Sequence, residues 1–203
     1  MMEKFIQSVY GGFMIACGGT VYLSCDNKYI GALLFALGLF TICEFGFGLF
    51  TGKVGYTLFN KPIYLVELLF TILGNFVGCF VIGKAVAYVK PALYEKAVGV
   101  CAAKLAQSPL QNFILACMCG VMMYIAVEMF KTKSGAAKHL GIFLAVPVFI
   151  LCGFEHSIAN MYYFALGGVG AVDFLMFTVV TILGNAAGAI IFSLYKFYDR
   201  TAK

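Results

Sequence analysis

Glu155 and His156 stand side by side in the run Gly153-Phe154-Glu155-His156-Ser157-Ile158-Ala159-Asn160-Met161, a carboxylate and an imidazole inside an otherwise apolar stretch. An imidazole, with an unperturbed pKa of about 6.5, can donate a hydrogen bond to a passing anion or hand it a proton. Neighbours on a helix point about 100° apart, so an interruption here lets one side chain leave a lumen while the other enters it. The histidine is the expected lumen residue, and Glu155 the anchor of the unwound backbone or of the imidazole. The bland alternative is a structural histidine satisfied between helices. A second unusual run is Glu44-Phe45-Gly46-Phe47-Gly48-Leu49-Phe50-Thr51-Gly52-Lys53, with three glycines and two charges. Lys104 falls in the connection 90–109, and read alone it is an ordinary loop lysine.

These residues need an unusual scaffold. Of 203 residues, 63% are hydrophobic and 11% charged, and mean hydropathy is +0.96. Soluble domains run near roughly 45–50% and 25%. Apolar stretches follow one another from Phe5 to Phe197, so lipid is the solvent for most of the surface. At about 20 residues per crossing, six spans fit, approximately 5–24, 29–50, 63–89, 110–130, 139–154 with a continuation to 166, and 172–198. No room remains for an extramembrane domain, so function lies within the bundle. Met1-Met2-Glu3-Lys4 opens directly into a span with no small-residue cleavage site, and the first helix is expected to stay.

An even number of spans puts both termini on one side. Lys4, Lys53, Lys61, Lys131, Lys133, Lys138, Lys196, Arg200 and Lys203 then face Lys28, Lys84, Lys90, Lys96 and Lys104 across the membrane, nine against five. The positive-inside rule makes both termini cytoplasmic. The net charge of +5 is therefore a topology signal, not a nucleic-acid stripe. The eight cysteines lie mostly in apolar helices, where thiols pack as small hydrophobes. With only His139 and His156 as imidazoles, no metal or other cofactor is expected. Glu44, Glu67 and Glu128 read as structural. Phe35, Leu39, Phe50 and Phe149 are large apolar residues that read as core, or as rings that narrow a pore and gate it by dewetting.

Thr71-Ile72-Leu73-Gly74-Asn75-Phe76-Val77-Gly78 returns 110 residues later as Thr181-Ile182-Leu183-Gly184-Asn185-Ala186-Ala187-Gly188. Both copies sit in the last span of a half. Three spans per half is odd, so the second half must run inverted to the first. The expected fold is an all-α membrane protein: one transmembrane domain of two inverted three-helix repeats, about 5–89 and 110–198. Helices 2 and 5 are interrupted at the two runs above. Each resumed helix would turn its positive N-terminal end to the break, a favourable place for an anion.

The run 153–161 resembles the fifth-helix motif of the formate/nitrite transporter family, and Leu49-Phe50-Thr51-Gly52 its second-helix motif. Gly11-Gly12-Phe13-Met14-Ile15-Ala16 is similar to the first helix, Leu73 to Gly78 to the third, and 102–127 to the loop and fourth helix. The resemblance implies an aquaporin-like homopentamer whose protomers each conduct a small monovalent anion such as formate, nitrite or hydrosulfide. By the same resemblance His156 is the central pore histidine, Lys104 the loop lysine outside it, and Thr51 the threonine that pairs with the histidine. Glu155 and Asn160 belong to the same fifth-helix motif. Phe35, Leu39 and Phe50 resemble one apolar constriction, and Phe149 contributes to the other. Two departures bear on selectivity: Cys119-Gly120 stands where the family commonly has Cys-Asn, and Lys53 where it often has asparagine.

The expected function is passive conduction of a weak-acid anion across the cell membrane, attracted by Lys104 and met midway by His156. The imidazole acts through a hydrogen bond or through proton transfer that makes transit a symport. A neutral-solute channel for water, ammonia or urea fits the same plan.

Overall fold

The computed structural model describes the backbone of residues 1–201 and side chains through Tyr198. Arg200's side chain and Lys203, both counted above for topology, lie outside the described residues. The helices are α1 Met2–Ser24, α2 Lys28–Phe45, α3 Phe50–Lys53, α4 Ile63–Val89 and α5 Pro91–Leu105. They continue with α6 Pro109–Thr132, α7 Gly135–Leu151, α8 Ser157–Gly167, α9 Ala171–Ser193 and α10 Tyr195–Thr201, and a 3-10 segment Val54–Phe59 follows α3. Among the described residues, four helical stretches are long and apolar enough to cross a membrane: Lys28–Phe45, Ile63–Val89, Pro109–Thr132 and Ala171–Tyr198. α7 is a shorter apolar helix of 17 residues, and α1 has 23. Leu34, Leu37, Leu69, Leu144, Met176 and Leu183 point outward, as expected of a surface solvated by hydrocarbon.

α2 ends at Phe45 and Phe50 opens another helix, both within the run 44–53. One sequence expectation needs correction. The connection carrying Lys104 is not a loop but the 15-residue α5, with Pro91 in its first turn and Leu93, Ala97 and Cys101 buried on one face. That i, i+4, i+8 spacing is helical, and Pro91 is tolerated because an N–H in the first turn has no intrahelical acceptor, so none is lost.

Helices α1 and α4 pack as one pair and α6 and α9 as another, through small residues at matched places. A Cβ on Gly12 would collide with the Asn75 carbonyl, and one on Gly120 with the Asn185 carbonyl. Such close approach is how apolar helices gain dispersion energy where lipid offers no hydrophobic drive. Gly120 is thus a packing residue, with no space for the asparagine of the family pattern.

The two breaks are built alike. Gly46 at φ 70° and Gly153 at φ 67° leave the helix through the left-handed region that glycine enters freely. The next amide then closes the incoming helix, Phe47 N–H on Ile42 O and Phe154 N–H on Phe149 O, each at 2.9 Å. Beyond them Gly48 N–H reaches Gln7 O at 3.2 Å and Glu155 N–H reaches Leu115 O at 3.3 Å.

The repeated asparagines complete the job. Asn75 Oδ1 accepts from Phe50 N–H at 3.0 Å, and its Nδ2 donates to Ser8 O and Gly48 O, both at 2.7 Å. Asn185 Oδ1 accepts from Ser157 N–H at 2.9 Å, and its Nδ2 donates to Ala116 O and Glu155 O, both at 2.8 Å. Both side chains are fully buried. Each asparagine thus satisfies the first amide of a resumed helix and one carbonyl of the break, Gly48 O or Glu155 O, and ties them to a second bond on a carbonyl of the neighbouring helix.

An unmade bond to a buried group costs about 1–3 kcal/mol. We predict that Asn75→Ala and Asn185→Ala each lower the melting temperature in detergent strongly and by similar amounts. Parent-like melting of either variant would show that its three bonds are dispensable.

Candidate functional site

His156 is the N-cap of α8, at the second break, and its ring is 2% exposed. Its Nδ1 accepts the Ala159 N–H at 3.1 Å. That bond places the proton of the neutral imidazole on Nε2, and Nε2–H donates to Thr51 Oγ1 at 3.0 Å. Thr51 is fully buried on α3, at the first break. The two interruptions therefore meet through one hydrogen bond, 105 residues apart in sequence.

Glu155 points elsewhere. Its Oε2 accepts from Lys104 Nζ at 2.6 Å and from Asn160 Nδ2 at 2.9 Å, and its Oε1 from Gln107 Nε2 at 2.8 Å. The carboxylate is 1% exposed and the Lys104 side chain 16%. Glu155 anchors the end of α5 to the second break rather than holding the imidazole. Lys104 is consequently not an isolated positive charge: a buried ion pair neutralises it.

Two cavities border the two breaks and share no lining residue: one includes His156, the other Gly52, next to Thr51. One, of about 130 Å³, is lined by Phe35, Lys104, Phe149, His156, Asn160 and Tyr163 among others. The other, of about 210 Å³, is lined by Leu39, Leu49, Gly52, Lys53, Val127 and Lys131 among others. The structure groups the apolar residues differently from the sequence expectation. Phe35 meets Phe149 edge-on, 5.9 Å between ring centres, and Phe149 lies 5.4 Å from the His156 ring. Leu39, one helical turn further along α2, faces the other cavity. Phe50 is buried but lines neither. Leu49, which was not singled out, takes the place expected of it. An extended residue just before a helix turns its side chain away from that of the first helical residue, a detail that motif spacing does not carry.

The helix ends are less open to an anion than their dipoles alone imply. Phe50 N–H and Ser157 N–H are taken by the asparagines, and Ala159 N–H by His156. The three intramembrane glutamates left as structural are all paired. Glu44 bonds His139 at 2.8 Å, Glu67 pairs with Lys4, and Glu128 pairs with Lys196 at 2.6 Å and accepts from the Tyr56 hydroxyl at 2.9 Å.

The family profile described as Formate/nitrite transporter matches residues 1–198. "Uncharacterized transporter YrhG" of Bacillus subtilis (strain 168) is 28% identical over 183 residues, 82% of this chain and 69% of the relative. "Formate channel FocB" of Escherichia coli (strain K12) is 28% identical over 184 residues, 79% of this chain and 65% of the relative. The chain thus spans about two thirds of the length of these curated relatives. The solved structure titled "Pentameric formate channel with formate bound" superposes with a TM-score of 0.83 at 22% identity, covering 100% of this chain and 98% of that one. That likeness establishes a shared fold.

Removing one partner of a buried ion pair leaves an uncompensated charge, at a cost of up to about 3–5 kcal/mol, less at Lys104 because part of its side chain is wet. We predict that Glu155→Gln and Lys104→Met each destabilise the protein in thermal unfolding, and that the double variant loses less than the sum. Additive losses would mean that the two groups do not sense each other.

Proposed function

The chain belongs to the formate/nitrite transporter family, and from that premise we propose that it passively conducts a small monovalent weak-acid anion, such as formate, nitrite or hydrosulfide. The observation that carries this reading is the buried Nε2–H of His156, held on Thr51, with one cavity at the ring and another at the neighbouring Gly52. An anion passing Phe35 and Phe149 sheds water at a cost of several kcal/mol. A hydrogen bond from a neutral imidazole or from the Thr51 hydroxyl offsets part of it. For His156 to gain a proton on Nδ1, it must give up the Ala159 amide. The imidazole therefore works as a donor, and a proton that accompanies the anion travels on the anion itself.

In this reading the chain forms one domain of six crossings, in two inverted halves at about 5–89 and 110–198. The second and fifth crossings are each split in two, as α2 with α3 and as α7 with α8. The matched Gly46-Phe47 and Gly153-Phe154 exits and the matched bonds of Asn75 and Asn185 support the duplication. The lysine bias supports cytoplasmic termini in the cell membrane, and the fold shared with a pentameric formate channel supports a homopentamer of separate pores. One observation favours a neutral solute instead: Lys104 and Glu155 cancel at the mouth of the smaller cavity.

Proteoliposomes separate these readings. Formate, nitrite and hydrosulfide uptake should exceed that of lactate and acetate, and water or urea flux should not rise above protein-free vesicles. His156→Ala removes both donor and helix cap, and loss of a charge-assisted bond worth about 1.5–3 kcal/mol predicts an about 10- to 100-fold slower anion flux. His156→Asn, which can cap α8 and still donate, should retain more flux than the alanine variant. Equal flux in His156→Ala and parent removes the imidazole from the mechanism. A dead asparagine variant with parent-like stability would instead mean that the ring must carry a proton.

A further inference from the structure

The mouth opposite Lys104 is electrically unlike it. Lys53 ends α3 and Lys131 lies in the last turn of α6, and both line the 210 Å³ cavity, whose remaining walls are largely apolar. Lys131 Nζ sits 3.7 Å from the Tyr56 ring centre, a contact that orients an ammonium without neutralising it. Among the described residues neither amine forms an ion pair with a carboxylate. The nearby acids are engaged elsewhere, Glu67 with Lys4 and Glu128 with Lys196.

Comparison of the two breaks explains the imbalance. At the spacing of 107 residues that matches Gly46 with Gly153, Gly48 is the counterpart of Glu155 and Lys53 that of Asn160. A Cβ on Gly48 would meet the Ser8 hydroxyl and crowd the Ser8 Cβ and Cα, so a side chain there would have to displace Ser8. The second break supplies the acid that neutralises Lys104, and the first carries a glycine packed on Ser8 in its place. Two uncompensated ammonium groups on a cavity with low-dielectric walls concentrate anions. At about 30 Å³ per water, this cavity takes a formate-sized anion together with a few waters.

We propose that Lys53 and Lys131 form an anion-capture site at this mouth, which holds a small carboxylate or oxyanion with part of its hydration before Leu39 strips the rest. Its role in transport rests on the anion-conduction reading above. Its existence can be read independently, because the half-buried thiol of Cys43 lines the same cavity.

The test is the rate of Cys43 modification by an anionic and a cationic methanethiosulfonate of similar size, mapped by mass spectrometry on the full chain in detergent. Relative to a free thiol, the parent should prefer the anionic reagent by about tenfold, and Lys53→Gln/Lys131→Gln should abolish the preference. Both reagents attack the same thiolate, so altered thiol acidity cancels in the ratio. In the parent, formate should slow the anionic reagent, and about 1 M salt, with a screening length of about 3 Å, should erase the preference without any substitution. In proteoliposomes the half-saturating formate concentration should rise several-fold in the double variant. A parent ratio equal to that of free thiol, or one unchanged when both amines are removed, overturns the capture site even where formate flux is robust. A charge-dependent ratio in a protein that moves no formate upholds the site and removes the conduction reading instead.

Discussion

A polypeptide that stops being helical at membrane depth must find partners for every freed N–H and C=O, because hydrocarbon offers none. The arrangement of this protein follows from how that demand is met. At each break one carboxamide, Asn75 or Asn185, accepts from the first amide of the resumed helix and donates to two carbonyls. Asparagine suits this position because a single side chain carries an acceptor and two donors without charge. A carboxylate could accept but not donate, and a hydroxyl has one proton for two carbonyls. Each asparagine also ties three helices together: Asn75 joins α4 to α1 and α3, and Asn185 joins α9 to α6 and α8. The small-residue contacts of α1 with α4 and of α6 with α9 bring the backbones close enough for the amide to reach.

Much of this plan was legible before any coordinates. The repeated Thr-Ile-Leu-Gly-Asn segment marked the asparagines, and the two glycine-rich or charged interruptions marked the breaks. The Thr51–His156 bond followed from the family resemblance alone. What escaped was local geometry. The dipeptide Gly-Phe occurs at 46–47 and at 153–154 in the same role, a signal present in the sequence yet hidden by the differing residues that follow. Lys104 read as a loop residue because α5 is less apolar than the spans, although Leu93, Ala97 and Cys101 carry its helical period. The partner of Lys104 could not be read at all, since a contact across 51 residues depends on how two helices dock. The apolar constrictions were misgrouped for a related reason: side chains in an extended stretch alternate, so Leu49 faces the cavity that Phe50 was expected to line.

The two breaks agree where they build the backbone and differ where side chains meet the cavities. Gly46-Phe47 and Gly153-Phe154 are identical, as are Asn75 and Asn185, whereas Gly48-Leu49-Phe50-Thr51 faces Glu155-His156-Ser157-Ile158. Such a scaffold constrains the glycines whose left-handed φ or close contacts it uses, and its asparagines, which three bonds hold. It leaves the intervening positions free to diverge. One break has acquired a carboxylate, an imidazole and an amide, and the other an aliphatic residue, a hydroxyl and an ammonium. In the proposed mechanism this divergence is the chemistry. Donor and acceptor come from opposite halves, so the Thr51–His156 bond forms only when both breaks are held in register. The backbone bond from Ala159 to Nδ1 then ties the ring's tautomer to α8 itself. Anything that loosens either asparagine disturbs the orientation of the imidazole as directly as it disturbs the fold.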